Sequence, residues 1–134
     1  MKKVLAIMGS ERLRSNTAFL FRHVLDTYYR EDLVQEVILK KLDFKRCISC
    51  YGCAKVPYCV VKDEMTKVYP AVEEYDEILF FTPIYFNSVS AISKAFIDRM
   101  QVYWSRKFLL KMEPLKAKKA TVFLVGGAPH YENQ

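Results

Sequence analysis

Long apolar runs are absent from this chain of 134 residues. No hydrophobic stretch approaches the roughly 20 residues that a membrane-spanning helix needs. The apolar run behind Met1-Lys-Lys covers only positions 4–8, which is too short for the core of a secretory signal. Internal repeats, low-complexity segments and Gly/Ser-rich linkers are also missing. We therefore expect one globular domain over residues 1–134, located in the cytoplasm and not at a membrane.

Glycine is scarce, and the glycine-rich nucleotide fingerprints are absent. The chain has 4 glycines, and no segment matches G-x-x-x-x-G-K-S/T or G-x-G-x-x-G. This excludes a P-loop ATPase and a dinucleotide-binding Rossmann site. The net charge of +6 suggests anionic ligands such as nucleotides. The lysines and arginines are dispersed, with one denser patch at 107–119, so we expect no nucleic-acid partner.

What the chain has instead is a concentration of cysteine. All 4 cysteines lie in the segment 47–59, with the spacing C-x2-C-x2-C-x5-C. Cysteines that serve as small hydrophobic residues would be scattered through strands and helices. Here Gly52 and Pro57 stand between the sulfurs and indicate a loop, with Gly52 expected to permit a sharp turn. The segment therefore predicts a metal site whose ligands are Cys47, Cys50, Cys53 and Cys59.

Disulfides, zinc and an iron–sulfur cluster compete for this segment. Disulfides need an oxidising compartment, which the missing secretory signal disfavours. Structural zinc sites usually divide their ligands into separated C-x2-C pairs. Three cysteines at successive x2 steps are closer to a ferredoxin-like run, in which four thiolates hold one [4Fe-4S] cluster. We therefore predict a [4Fe-4S] cluster, with Arg46 and Lys55 offsetting part of its negative charge, and keep zinc as the alternative.

Apolar patterns alternate between strand and helix along the chain. Apolar runs predict strands at 4–8, 34–39, 77–82 and 120–125, and helical spacing predicts helices at 17–29, 63–74 and 88–100. This alternation predicts an α/β fold with a doubly wound parallel sheet. Ligands of such sheets bind beyond the carboxyl ends of the strands. In this chain those ends are followed by the loops 9–17, 82–90 and 126–131.

The first of these loops is rich in hydrogen-bonding side chains. Hydroxyl and amide groups, together with Arg12 and Arg14, surround the predicted start of the first helix. Backbone N–H groups and the helix dipole at such a position favour a phosphate group. Ordinary capping of the helix by Ser15 or Asn16 is the alternative, although capping needs only one such residue.

The other two loops offer aromatic rings and bare backbone. Tyr85 and Phe86 follow a buried strand, where they would either stack on a flat ring or pack into the core or a subunit contact. The glycines at 126 and 127 allow the backbone to approach a ligand closely. His130 follows them and could touch the same ligand.

The order and content of these motifs resemble the NADPH-dependent FMN reductase-like branch of the flavodoxin-like superfamily, and most closely its iron–sulfur flavoprotein group. The gap before the last cysteine falls in the range of that group. Glu11 departs from the family, in which proline is usual at this position. The matching features cover nearly the whole chain: Val4-Leu-Ala-Ile-Met-Gly-Ser-Glu-Arg12 with Ser15-Asn-Thr17, the cysteine segment, Thr82-Pro-Ile-Tyr-Phe with Lys94-Ala-Phe-Ile-Asp-Arg99, and Gly126-Gly127.

The resemblance implies a flavodoxin-like, three-layer αβα domain that binds FMN. Its strand order would be 2-1-3-4-5, with the fifth strand missing from this chain, so that the chain would be C-terminally truncated and its fourth strand an exposed edge. The residues holding the FMN phosphate would be Ser10, Arg12, Ser15, Asn16 and Thr17. Those lining the isoalloxazine would be Pro83, Ile84, Tyr85, Phe86, Asn87, Gly126, Gly127 and Ala128. Relatives are typically homodimers or homotetramers, and the stretch 103–108 is the candidate for that contact.

Functions of different classes remain open at this point. The first is an FMN-dependent electron-transfer oxidoreductase of the iron–sulfur flavoprotein type, which exchanges electrons with small-molecule or protein redox partners. The second is an NAD(P)H-dependent reductase of FMN or quinones whose cysteines hold no cluster. The third is a zinc-binding interaction module. We favour the first, in which the flavin carries the chemistry and no side chain needs to be a catalytic acid or base.

Overall fold

The computed structural model describes residues 1–127, and strands alternate with helices along them. The strands are β1 (Lys3–Met8), β2 (Leu33–Ile38), β3 (Glu77–Pro83) and β4 (Lys119–Val125). The α-helices are α1 (Asn16–Tyr28), α2 (Tyr69–Glu74), α3 (Ala91–Asp98) and α4 (Gln101–Phe108). Short 3-10 turns cover Leu39–Lys41, Gly52–Ala54 and Glu64–Lys67. Over residues 1–127, no helix is both long and apolar enough to cross a membrane.

The four strands form one parallel sheet in the order β2-β1-β3-β4. Within it, Ile7 of β1 is level with Val37 of β2 on one side and with Phe80 of β3 on the other. β1 is buried from Val4 to Met8, as its unbroken apolar run predicts. The predicted order 2-1-3-4 is therefore confirmed for the described residues, and the carboxyl ends of these strands meet at one edge of the sheet.

Apolar cores cover both faces of the sheet. Val4 and Ala6 of β1 belong to the core under α1, whereas Leu5 and Ile7 belong to the core under α2, α3 and α4. This division arises because successive side chains of a strand point to opposite faces. The result is the three-layer αβα arrangement that the sequence predicts.

The predicted helix over 63–74 is divided into two segments. Asp63 caps a 3-10 turn by accepting a hydrogen bond from the Met65 N–H at 3.1 Å, and α2 begins only at Tyr69. Pro70 lies in the first turn of α2, the one part of a helix where a residue without an N–H is tolerated. The continuous helix was therefore a wrong prediction, although the apolar residues at 65, 68, 69 and 72 are all buried.

The predicted helix over 88–100 is shorter than expected, and a further helix follows it. α3 begins after Ser90, whose hydroxyl caps it, and α4 then covers the whole stretch 103–108 that was assigned to a subunit contact. Within α4, Tyr103 and Arg106 both bond Glu73 of their own chain, at 3.2 and 2.9 Å. Trp104, Lys107 and Phe108 are exposed, so they are the residues of this stretch that a partner could contact.

β4 forms one edge of the described sheet. It pairs with β3, and no other strand of residues 1–127 lies on its far side. Its side chains Val122 and Leu124 are 58% and 57% exposed. The exposed apolar edge that the sequence predicts is therefore present within the described residues.

Candidate functional site

The loop between β1 and α1 is built around two serine hydroxyls. Ser15 caps α1 by accepting a hydrogen bond from the Ala18 N–H at 3.2 Å. Ser10 is buried, and its Oγ accepts hydrogen bonds from the Arg12 N–H and from the Ser15 hydroxyl, both at 3.1 Å. Part of the polar content of this loop therefore fixes its own shape, and the cap of α1 is Ser15 rather than Asn16.

The same loop keeps polar groups for an outside ligand. The N–H groups of Asn16 and Thr17 have no acceptor inside α1, as in the first turn of any helix. The partial positive charge of the helix start adds to them, and Arg12 and Arg14 are exposed beside them. The Thr17 side chain is buried, so this residue would reach a ligand through its N–H. The arrangement suits a phosphate group.

A buried hydroxyl cluster joins this loop to the end of β3. The Ser90 Oγ donates to the Gly9 carbonyl oxygen at 2.6 Å and lies 2.8 Å from the Ser93 Oγ. The Thr82 Oγ1 accepts a hydrogen bond from the Ser90 N–H at 3.2 Å. A β-carbon on Gly9 would overlap the Ser93 hydroxyl, so only glycine fits there. These contacts hold the loops after β1 and β3 in a fixed mutual arrangement, and no sequence signal predicted them.

The loop after β3 presents aromatic side chains to solvent. Tyr85 and Ser88 pair through backbone hydrogen bonds of 2.9 and 3.0 Å. Phe86 and Asn87 between them have φ angles of 51° and 59°, which are the signs of a type I′ turn. A bulky side chain at positive φ is uncommon. Because Tyr85 is half exposed and Phe86 fully exposed, neither packs into the core of this chain, and both are available to stack on a flat ring.

The loop after β4 is described as far as Gly127. The Ile84 N–H donates to the Val125 carbonyl at 2.9 Å, which joins this loop to the one after β3. Gly126 and Gly127 are exposed, and a β-carbon on Gly127 would meet no atom of residues 1–127 within 4 Å. Ala128 and His130, which were also predicted for this site, lie outside the described residues.

An open groove lies on the β2 side of the loop 9–17, which is called the phosphate loop below after its predicted ligand. It has a volume of about 720 Å³ and lies between α1 and the end of β2. Phe19 lines it, and cations reach it from Arg14, Arg22 and Lys41. Arg22 is already paired with Glu36 at 2.7 Å. The groove therefore combines apolar surface with positive charge at its rim.

All four cysteines line one cavity of about 90 Å³, which Arg99, Gln101 and Val102 border from the end of α3 and the start of α4. The thiols form no disulfide; Cys50 is exposed, and Cys47, Cys53 and Cys59 are half-buried. The segment thus wraps around a common space, which scattered core cysteines would not do.

The turns of the cysteine loop differ from the predicted ones. Positive φ angles occur at Ser49 and Tyr51, at 55° and 57°, on either side of Cys50. Gly52 has no positive φ, and a β-carbon there would lie 2.5 Å from Cγ2 of Val60. The expectation that Gly52 supplies the sharp turn was therefore wrong. Its lack of a side chain lets the two halves of the loop pack together.

Polar contacts from α4 hold the cysteine loop in place. The Cys53 Sγ and the Ser105 Oγ are 3.2 Å apart. Arg106 donates from Nε to the Pro57 carbonyl at 2.7 Å. Because α4 was not predicted from the sequence, these anchors were missed as well.

Arg99, at the end of α3, is a buried charged anchor of the same loop. Its side chain is 1% exposed and forms a two-pronged ion pair with Asp63, itself 5% exposed, at 2.7 and 3.1 Å. The same guanidinium donates to the Lys45 carbonyl at 2.7 Å and to the Cys59 Sγ at 3.4 Å. Burial lowers the pKa of Arg99, but the hydrogen bonds to Asp63 and Cys59 raise it above its usual value, so the group stays charged.

The donor set of the cavity fits an iron–sulfur cluster. Soft thiolates select such clusters, zinc or copper(I). Four thiolates can ligate one [4Fe-4S] cluster, each at a separate iron. The four cysteines that line the cavity supply this set, and the same four thiolates would also suit a structural zinc site. Over residues 1–127, no group of three or more His, Cys, Asp or Glu side chains is already gathered around a metal position.

The family of this chain can now be stated from its sequence. Residues 2–133 match the profile of the NADPH-dependent FMN reductase family. This chain belongs to that family. The match runs through the phosphate loop, the cysteine segment and the loops after β3 and β4.

Relatives that are similar in sequence to this chain carry the name iron–sulfur flavoprotein. One from Methanocaldococcus jannaschii is 34% identical over 98 residues, which cover 72% of this chain and 51% of the relative. One from Archaeoglobus fulgidus is 38% identical over 101 residues, which cover 75% of this chain and 49% of the relative. The chain thus spans about half the length of these curated relatives.

Solved structures confirm the flavodoxin-like fold. An NADH:FMN oxidoreductase in its apo form superimposes with a TM-score of 0.66 at 21% identity, covering 96% of this chain and 60% of that one. The NAD(P)H:quinone oxidoreductase from Methanothermobacter marburgensis superimposes with a TM-score of 0.68 at 11% identity, covering 98% and 88%. At these identities the similarity concerns the fold.

Proposed function

We propose that this chain is an FMN-binding redox domain of the iron–sulfur flavoprotein type, with a [4Fe-4S] cluster on its four cysteines. The observation that carries the proposal is that all four cysteines line one cavity in a chain of the FMN reductase family. The names of the relatives support it. Bound FMN would supply the transfer of one or two electrons.

The phosphate loop would hold the FMN phosphate through its N–H groups and hydroxyls. Ser10 and Ser15 shape the loop, while the N–H groups of Asn16 and Thr17 and the exposed Arg12 face an anion. Charge-assisted hydrogen bonds of this kind contribute about 1.5–3 kcal/mol each. The loop has no glycine fingerprint for a pyrophosphate, so FMN is preferred over FAD and over dinucleotides as the tight ligand.

The loops after β3 and β4 would orient the ring. The N–H groups of Ile84, Tyr85 and Ser88 are already paired with backbone carbonyls, so the donors left between Ile84 and Ser88, among the described residues, are those of Phe86 and Asn87. Together with the backbone at Gly126 and Gly127 they can face negative charge on a reduced ring. Pro83 has no N–H and fixes the backbone at the end of β3.

The cysteine loop would hold the cluster through Cys47, Cys50, Cys53 and Cys59. Arg46 and Lys55, which were predicted to offset its charge, are exposed on the outside of the loop, whereas Arg99 lines the cavity. The loop begins after β2, at the carboxyl edge that carries the proposed flavin loops, and its cavity is bordered by the residues that join α3 to α4. Electron exchange with small-molecule or protein partners, in a homodimer or homotetramer, is part of the same proposal.

The visible spectrum of protein purified without oxygen tests this function. Flavin bands on top of broad cluster absorption are expected, and the flavin released by denaturation should run as FMN in chromatography. Stoichiometric FAD in that extract would overturn the FMN assignment. A spectrum without flavin, with zinc bound, would instead favour the zinc-binding module.

An NAD(P)H-dependent reductase of FMN or quinones is the second candidate. The groove of about 720 Å³ beside the phosphate loop favours it, because cations from Arg14 and Lys41 and the ring of Phe19 suit a second nucleotide. Rapid oxidation of NAD(P)H with free FMN or quinone, by protein whose cysteines carry no cluster, would support this candidate. No oxidation above the rate of free FMN would argue against it.

A further inference from the structure

We propose that Arg99 is a positioning residue for the cysteine site, which anchors the segment 45–63 and places a buried positive charge beside the cluster. The inference rests on the proposed function, because it concerns the group that the cysteines hold. It assigns a role to a residue between α3 and α4, which lies far in sequence from every cysteine.

The anchoring role follows from where the guanidinium bonds are made. Before the first cysteine, Arg99 bonds the Lys45 carbonyl at 2.7 Å. At the last cysteine it bonds the Cys59 Sγ at 3.4 Å, and after it the Asp63 carboxylate at 2.7 and 3.1 Å. One side chain therefore holds both ends of the loop. Arg99 is itself fixed, because the Tyr69 hydroxyl donates to its carbonyl at 2.9 Å. A planar guanidinium can make these bonds together, whereas a lysine ammonium cannot reproduce the fork.

The charge role follows from burial. Four thiolates around one cavity concentrate negative charge, and Arg99 lines that cavity with a side chain that is 1% exposed. A charge removed from solvent acts more strongly on its neighbours than the exposed Arg46 and Lys55 do. In addition, the Arg99 Nε is buried with no hydrogen-bond partner among the described residues. Leaving such a donor unpaired is costly, and a sulfur acceptor inside the cavity would satisfy it.

The structure also offers a way to separate this role from mere support of the fold. The Arg99 guanidinium bonds both the Asp63 carboxylate and the Cys59 Sγ. Asp63 therefore places a negative charge close to the positive charge of Arg99, beside the same cysteine. If Arg99 only supported the fold, loss of either partner would act in the same direction. If its charge acts on the cluster, the two losses shift the reduction potential in opposite directions, because a cation favours the reduced, more negative cluster.

The experiment uses the full chain reconstituted with iron and sulfide without oxygen, as wild type, Arg99→Gln, Arg99→Lys and Asp63→Asn. Arg22→Lys is the matched control, since Arg22 also makes a two-pronged pair, with Glu36, but far from the cysteines. The measurements are iron per chain, the rate of iron loss to a chelator and the cluster's reduction potential. FMN content and circular dichroism report on the fold. Protease cleavage of cluster-free protein within 45–63 reports on anchoring.

We expect Arg99→Gln to lose iron about 10-fold to 100-fold faster than wild type, as for other residues that support metal ligands. Its reduction potential should fall, and that of Asp63→Asn should rise. Arg99→Lys should keep a potential near that of wild type but lose iron faster and be cleaved faster within 45–63. Arg22→Lys should match wild type throughout.

Potentials that stay unchanged, or that shift in the same direction in Arg99→Gln and Asp63→Asn, would overturn the charge role. Equal iron-loss and cleavage rates in Arg99→Lys and Arg22→Lys would overturn the anchoring role.

Should the Arg99 variants fail to fold, Asp63→Asn decides alone, and a potential that does not rise contradicts the proposal. Wild-type protein that takes up no cluster would overturn the proposed cluster and this inference with it, whereas a loaded wild type with insensitive variants overturns this inference alone.

Discussion

The Ser90 hydroxyl donates a hydrogen bond of 2.6 Å to the carbonyl oxygen of Gly9. It thereby joins the loop that would hold a phosphate to the start of α3, the helix that follows the loop after β3. The same hydroxyl caps α3 by accepting a hydrogen bond from the Ser93 N–H. Ser90 thus supports the site without facing a ligand, since it is buried.

Ser90→Ala should destabilise the chain by about 1–3 kcal/mol, because a helix cap and a buried hydrogen bond are lost together. FMN should also bind more weakly, since the Gly9 carbonyl keeps only the longer, 3.3 Å hydrogen bond from the Ser93 hydroxyl. Urea unfolding and FMN titration measure both effects. Ser88→Ala, on the exposed hairpin of the same loop, is the control and should unfold like wild type. Equal stability of the two variants would contradict the structural role of Ser90.

The phosphate loop can be tested with Ser10→Ala combined with Asn16→Ala. Ser10→Ala removes the acceptor of the two hydrogen bonds that shape the loop, and Asn16→Ala removes the exposed amide side chain beside it. At about 0.5–1.5 kcal/mol for each lost hydrogen bond, we expect an FMN affinity about tenfold weaker, measured by fluorescence titration. Thr27→Ala, exposed at the other end of α1, should leave the affinity unchanged. A folded double variant with the affinity of wild type would remove this loop from the FMN site.

The Asp63–Arg99 pair should make stability depend on pH. Burial raises the pKa of Asp63, but hydrogen bonds from Arg99 and from two backbone N–H groups lower it below its usual value. A lowered folded pKa means that the pair stabilises the fold fully above the unfolded pKa of about 3.9 and loses this contribution as pH falls through the folded pKa.

Asp63→Asn should therefore cost about 3–5 kcal/mol of unfolding free energy near neutral pH, because it leaves a buried charge without its partner. The difference from wild type should shrink below about pH 4. Chemical denaturation at pH 7 and at stepwise lower pH values measures it. A difference that stays constant down to acid pH would show that the pair does not lower the pKa of Asp63 in the folded chain.

The exposed edge at β4 predicts self-association. Val122 and Leu124 present apolar side chains on a strand whose far side pairs with no described strand. At micromolar concentration this chain should not elute as a monodisperse monomer in size-exclusion chromatography. Val122→Lys with Leu124→Lys should shift it toward the monomer, since edge lysines oppose strand pairing. A clean monomer of the unmodified chain would contradict this expectation.

The sheet could be predicted from the sequence because its signal is local. β1 and β3 are continuous apolar runs, and the carboxyl-end rule then placed the three ligand loops at one edge. The helices were harder where packing overrides periodicity. The predicted helix over 63–74 is divided, and Pro70 lies in the first turn of its second part, α2. α4 buries Val102 and Ser105 only, so its apolar pattern is too sparse to indicate a helix.

The support of the site could not be predicted because it joins residues that are distant in sequence. Arg99 and Asp63 are 36 positions apart, and Ser90 and Gly9 are 81 apart. Only the packing of α3 against the sheet brings them together. The cysteines, by contrast, lie within one short loop, so their common cavity follows from their spacing.

The measurement that tests the account most directly is iron, sulfide and flavin analysis of protein prepared without oxygen, with Cys50→Ser as the control. We predict about four irons per chain with matching sulfide, one FMN, and loss of the cluster but not of FMN in the Cys50 variant. Stoichiometric zinc in native protein, or fewer than about two irons per chain after reconstitution, would contradict the assignment as an iron–sulfur flavoprotein.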